Sequence, residues 1–236
     1  MTNIISGKEE SKIVEEWDSI AAIREYQISS GLDHSAIEVL APAILKEISK
    51  TSGLIDIGCG TGWLTAQAHL LHQNCLGIDP SKKSIEIANE KYGSASLKFF
   101  VSSIEKLSLN GMKFDTAISN MVASNVLDLN SFIKSSRQIL EPNGTLIMTV
   151  PHPCFWPQYW GYVNDKEFLY SETCMVEGNF KIQNGITSHI TTHFHHSLEN
   201  YFNILTSQSF IVEKLVELKG RGFKLPRFLL IRAKAI

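Results

Sequence analysis

An apolar run that breaks into alternating glycines constrains this chain more than any other feature. Leu54-Ile55-Asp56-Ile57 reads as a buried parallel strand, and Gly58-Cys59-Gly60-Thr61-Gly62 as a sharp turn into a helix. A Cβ at such glycines would block both the turn and the approach of a ligand to the backbone. A second apolar run, Leu76-Gly77-Ile78, ends in Asp79-Pro80. A carboxylate placed about 20 residues beyond the glycines can accept two hydrogen bonds from a ribose diol. The two segments together predict an adenine nucleoside held at the carboxyl ends of two neighbouring parallel strands.

The nucleoside is not expected to be a dinucleotide. That fingerprint needs a third small residue so that its helix can approach the strand, and Trp63 stands there. No lysine or arginine occurs from Gly53 to Asn74 to meet a diphosphate. The stretch Asp56-Ile57-Gly58-Cys59-Gly60-Thr61-Gly62 instead resembles the first motif of the class I S-adenosylmethionine-dependent methyltransferases. In that family the turn holds a methionine moiety. The resemblance, to the small-molecule branch of the family, covers roughly Leu54–Val150 and implies S-adenosylmethionine as cofactor, with Gly58, Cys59, Gly60, Asp79 and Pro80 among its contacts.

Strand-like and helix-like segments alternate along the chain. Strands are expected at Gly53–Ile57, Asn74–Ile78, Leu97–Val101, Phe114–Ser119, Gly144–Val150, Phe210–Leu218 and Phe228–Ala233, with helices near Trp63–His72, Ser81–Tyr92 and Leu129–Leu140. Ser81 is placed to cap its helix, and Glu141-Pro142-Asn143-Gly144 signals a turn. This alternation implies right-handed crossovers and a parallel sheet. The last two strands are too close for a crossover helix and are expected to be antiparallel. The fold class is α/β, a Rossmann-like doubly wound sheet of seven strands, mostly parallel with the last antiparallel. At 236 residues and 44% hydrophobic, the chain can bury a full core as a single domain. Within it we expect an N-terminal helical lid over residues 1–50 and a nucleotide-binding core over 51–150. A cap insertion over 151–196 and a C-terminal helix and strand pair over 197–236 complete it.

The lid, helical from Val14 to Ile48, is expected to break at Tyr26-Gln27-Ile28-Ser29-Ser30-Gly31. Related enzymes fold this segment over the nucleoside, which makes Gln27 a candidate cofactor contact. Asn184-Gly185 is a favoured hairpin turn, predicting strands Val176–Gln183 and Ile186–Phe194 that cap the pocket or pair with another subunit in a homodimer. Seven of the 22 aromatic residues fall within 16 residues, Phe155 to Tyr170. They form either the core of the cap or a wall of the acceptor pocket.

The resemblance also implies that the residues after the third core strand hold adenine. The usual acid falls on Ser103, followed by Ile104, and Glu105 could serve in its place. After the fourth strand, Ser119-Asn120-Met121-Val122 lacks the proline-rich motif of nucleobase- and amide-directed relatives. It also lacks the aspartate of metal-dependent catechol-type relatives, so no metal is expected, and Asn120 becomes a cofactor contact. A hydroxyl or carbon acceptor needs a base, and histidine is poised for it near neutral pH. His152, just past the fifth strand in Val150-Pro151-His152-Pro153, and His196 are the candidates, with His193 and His195 beside the latter.

A net charge of −2 disfavours nucleic acid as the main partner. The cluster Lys214, Lys219, Arg221, Lys224 and Arg227 is either a solvated loop or a patch for an anionic substrate or RNA backbone. Four cysteines without a C-x-x-C pair, no apolar run long enough to span a membrane and no secretory signal predict a reduced, cytoplasmic protein. The chemistry expected is metal-independent methyl transfer from S-adenosylmethionine to a small-molecule acceptor. An RNA methyltransferase and a non-catalytic nucleoside-binding protein are the alternatives.

Overall fold

The computed structural model describes residues 2–49, 52–72, 74–108, 111–182 and 185–236. Seven strands form its central sheet: β2 (Leu54–Ile57), β3 (Cys75–Asp79), β4 (Leu97–Val101), β5 (Phe114–Asn120), β6 (Leu140–Pro151), β9 (Phe210–Leu218) and β10 (Phe228–Ala235). Their spatial order is β4-β3-β2-β5-β6-β10-β9. The first five run parallel, and β10 runs against both β6 and β9. The strand order reverses at β2, and the crevice at that switch point is where open α/β sheets receive ligands.

Both faces of the central strands are covered, which is why those strands read as apolar runs. Successive side chains point to opposite faces. Ile55, Ala117, Leu146, Met148 and Leu229 therefore join one core, with Phe132 and Ile133 of α5 (Leu129–Ile139). Leu54, Ile118, Ile147 and Leu230 join the other, with Leu64 of α3 (Trp63–Leu71) and Ile85 of α4 (Lys82–Tyr92). Side-chain caps start two of these helices: Ser81 Oγ accepts from Ser84 N at 3.1 Å, and Asp128 Oδ1 from Ser131 N at 3.0 Å.

The expected turn at Glu141–Gly144 is a bulge inside β6. Phe114 faces Leu140 but Thr116 faces Thr145, and Asn143 takes a φ of 66°. The turn residues interrupt pairing, as their chemistry dictates, yet the chain rejoins the same ladder.

Lid and cap are joined more closely than the sequence suggests. α1 (Glu10–Ser29) is followed by a wide helical turn at Ser35–Leu40 and by α2 (Ala41–Glu47). The break falls after Ser29, where the Gln27 carbonyl accepts from both Leu32 N and Asp33 N. In the cap, β7 (Cys174–Ile182) and β8 (Gly185–His195) form the expected hairpin, although Gln183 and Asn184 lie outside the described residues. A further strand, β1 (Thr2–Ile5), pairs antiparallel with β7. The hairpin thus finds a partner strand in its own chain.

Lys8 fastens this sheet to the lid. Its ammonium pairs with Glu16 and Glu177 and donates to Thr192 Oγ1 at 2.8 Å, while Glu16 Oε2 accepts from Thr192 N at 2.8 Å. On the other side, Asp18 accepts from Ser81 Oγ at 2.6 Å and Glu25 pairs with Lys91 at 2.6 Å, which ties α1 to α4. α6 (Trp156–Trp160) and α7 (Leu198–Ser207) complete the chain.

Candidate active site

The turn after β2 is built by glycines with positive φ. Gly58 has a φ of 72°, and a Cβ there would lie 2.3 Å from Val122 Cγ2. Gly60 has a φ of 55°, and a Cβ on it would enter open space, where the backbone is bared to the cavity. The turn is pinned to β3, because Gly58 N and Cys59 N both donate to Ile78 O, at 2.7 and 2.9 Å. Asp79 then closes it. Its carboxylate accepts from Gly60 N at 2.9 Å and from Ser81 N at 2.8 Å. Burial lifts the Asp79 carboxyl to about 6, against the opposing pull of those two amides.

These groups line one end of a cavity of about 1140 Å³. Gly58, Cys59, Gly60, Asp79, Pro80, Ser103, Ile104 and Asn120, the expected cofactor contacts, all line it. Ser103 Oγ is buried and has no hydrogen-bond partner, the state expected of a hydroxyl that awaits an amine. Glu105 also lines the cavity. Asn120 Oδ1 accepts from Thr149 Oγ1 at 2.7 Å, which fixes the amide. Gln27 departs from expectation. It is buried at the end of α1, with its amide oxygen accepting from Arg24 Nη1 at 3.1 Å, and it does not line the cavity. Trp17 and Arg24, from the same helix, do.

The other end of the cavity is aromatic. Trp156, Tyr159 and Trp160 of α6, Phe180 of β7, and Phe223 and Phe228 line it. Trp156 and Trp160 stack at 5.8 Å. The aromatic cluster thus serves both readings at once, since Trp156 and Tyr162 also belong to a buried cluster with Leu40 and Val176.

The two histidines first in line as bases face elsewhere. His152 is 2% exposed, and its Nδ1 accepts from Cys154 N at 3.2 Å. Its proton therefore sits on Nε2, 3.0 Å from Glu217 Oε1 across the sheet edge. The tight Pro-His-Pro segment turns the ring away from the crevice, and His152 does not line the large cavity. His196 is also outside it, 3.1 Å from Thr173 Oγ1 and edge-on to Tyr201. His195 Nε2 donates to Tyr170 O at 3.0 Å. His193 is the member of this group that reaches the cavity wall. Its ring lies edge-on to Trp160 at 4.5 Å, and its buried Nε2 has no partner. Burial, aided by His195 and His196, lowers it to about 3, so the imidazole is neutral.

Sequence reasoning also missed Met121, whose φ of 62° bends the chain at the end of β5 so that it lines the cavity. Strained non-glycine backbone of this kind gathers at functional sites. Its signal was confined to a departure from the familiar motif.

Residues 55–148 match the family model described as "Methyltransferase domain". Among similar proteins is the ubiquinone biosynthesis O-methyltransferase of Pelagibacter ubique, 36% identical over 42% of this chain and 42% of its own length. The chain spans less than half the length of such curated relatives. Among solved structures, an S-adenosylmethionine-dependent methyltransferase from Mesorhizobium loti superposes with a TM-score of 0.62 at 20% identity, covering 82% of this chain and 95% of that one. The N-methyltransferase NodS from Bradyrhizobium japonicum, in complex with S-adenosyl-L-homocysteine, gives 0.58 at 16% identity, covering 83% of each. Residues 55–148 thus match a methyltransferase domain, and the fold is the one shared by S-adenosylmethionine-dependent methyltransferases of known structure.

Proposed function

We propose that this protein transfers the methyl group of S-adenosylmethionine to a small-molecule acceptor without a metal ion. The observation that carries this reading is one continuous cavity joining the Gly58–Gly60 turn and Asp79 to the aromatic wall of the cap. Its volume of about 1140 Å³ exceeds the usual range for one drug-sized ligand, roughly 300–1,000 Å³. Donor and acceptor can therefore occupy it together. The residues present fit the donor: a bared glycine turn, a buried carboxylate for a diol, and the unpartnered Ser103 hydroxyl.

When bound, the donor supplies an electrophilic methyl on a sulfonium centre. What remains for the chain is to align an acceptor atom behind that methyl, and alignment can contribute on the order of several kcal/mol. Asp79 orients the ribose end, Ser103 accepts from the adenine amine, and Trp156 and Trp160 exclude water from the acceptor end. His193, neutral and with Nε2 unpartnered, accepts a hydrogen bond from an acceptor hydroxyl. Such a weak base does not store the proton, which passes on to solvent.

Asn120 is neutral and already engaged with Thr149, and among the described residues no three metal-ligating side chains converge. The neutral, engaged Asn120 is what favours metal independence. The ubiquinone relatives favour a hydroxyl acceptor. The RNA alternative is disfavoured, because part of the basic cluster is engaged within the chain: Lys214 pairs with Glu47, Arg221 pairs with Glu38, and Arg227 lines the cavity. All four cysteines are free thiols, which fits a reducing compartment such as the cytoplasm.

The test is transfer of a tritium-labelled methyl from S-adenosylmethionine into a metabolite extract, with and without chelator. Label should enter small organic products at the same rate in both. No transfer, or transfer that stops with chelator and returns with magnesium or zinc, would contradict the proposal.

A further inference from the structure

The loop between β9 and β10 brings two cations to the cavity, Arg221 and Arg227. The Arg227 backbone is held on both sides, its N donating to Leu218 O at 2.9 Å and its O accepting from His152 N at 2.8 Å. Its guanidinium carbon lies 4.3 Å from the ring centres of both Tyr159 and Phe223, and 5.1 Å from that of Phe228. Nη1 donates to Ser35 Oγ at 3.3 Å, while Nε is buried with no partner. The side chain lines the acceptor end of the cavity.

No carboxylate is in direct contact with this charge among the described residues, and Asp33 acts on it only from a distance. Asp33, the nearby acid, spends one oxygen on Arg24 Nη1 at 2.8 Å and the other on Ala36 N at 3.0 Å. Arg221 pairs with Glu38 instead. Among the described residues Arg227 forms no ion pair. Burial lowers its pKa, but a guanidinium stays charged in a protein. A partly buried cation with no directly paired counter-ion is costly, and aromatic faces offset part of that cost. The five donors of the guanidinium form a rigid fork that suits carboxylate geometry.

We infer that Arg227 determines specificity at the acceptor end, and that the acceptor is a planar small molecule bearing a carboxylate or an equivalent oxyanion. The aromatic side chains take the planar body, and Arg227 takes the anion. This inference rests on the methyl-transfer reading and names the substrate class for it.

The test uses the full chain saturated with S-adenosylhomocysteine. Benzoate, phenylacetate and 4-hydroxycinnamate are titrated by ligand-observed NMR against their uncharged amides. At least one carboxylate should bind tenfold or more tightly than its amide, with a preference that shrinks as salt rises. Arg227→Met should abolish the preference and leave S-adenosylhomocysteine affinity unchanged. If Arg227→Met does not fold, Arg227→Lys is measured, and the preference should drop at least threefold because the fork is lost. A series in which no carboxylate outbinds its amide, or a preference that survives in the folded variant, would overturn the inference. Binding of S-adenosylhomocysteine itself separates the two claims: its failure would sink the methyl-transfer reading, whereas its success with no carboxylate preference would sink only this one.

Discussion

At the scale of single residues, two buried carboxyls dominate the electrostatics of the donor end. Asp56, in β2, accepts from Thr65 Oγ1 at 2.7 Å but leaves Oδ1 buried without a partner. Burial lifts it to about 7, and Asp79 to about 6. In the unfolded chain both titrate near the ordinary value of 3.8. Between those limits the native state holds more protons than the unfolded state, so stability falls as pH rises. The melting temperature should therefore decline from pH 5 to pH 8, and Asp56→Asn should flatten the decline. Parallel profiles for the two proteins would contradict the assignment. Asp79 makes a second prediction, because a protonated carboxyl cannot accept from both hydroxyls of a diol. Affinity for S-adenosylhomocysteine should weaken as pH drops through about 6, measured by calorimetry, whereas a flat profile would count against Asp79 as the ribose acceptor.

Residue chemistry also marks where sequence was legible. The Gly58–Gly60 turn and the Asp79 that closes it were readable because turn geometry demands particular residue types at fixed spacing. His152 misled because its position after β6 is right for a base, while its direction is set by Cys154 N and Glu217, which periodicity does not reveal. Arg227 was hidden in a run of basic residues whose members go to different partners.

At the scale of elements, the central sheet strands were readable because they are apolar runs buried on both faces, whereas the edge strands β4 and β9 are largely exposed. β1 was not readable, since a four-residue edge strand draws its identity from pairing with β7 rather than from its own pattern. Nor was α6, whose aromatic residues serve the cavity and the cap core together. The Lys8 cluster sets how firmly lid and cap hold each other. Lys8→Met would leave Glu16 and Glu177 close together without their shared cation. Because these groups are partly exposed, the loss should be about 1 kcal/mol, a fall in melting temperature of roughly 2–4 °C. Amide exchange along β7 and β8 should quicken as well. Unchanged exchange there would mean that the cap is held by its apolar contacts alone.

At the scale of the molecule, the division of labour is spatial. In the proposed function the switch-point crevice takes the donor, and the α1 and α6–β8 segments take the acceptor. Trp160→Ala should accordingly raise the Michaelis constant for the acceptor more than it alters donor affinity. An equal loss of both would mean that the cap acts on the whole cavity rather than on one end. The central claim is that the Gly58–Gly60 turn and Asp79 hold the donor nucleoside, and calorimetric titration with S-adenosylhomocysteine tests it most directly. The account predicts one site per chain in the intact protein, weakened in a folded Asp79→Ala variant by a few kcal/mol at most, as for hydrogen bonds to a charged group. Absence of binding, or an affinity unchanged by Asp79→Ala, would contradict it.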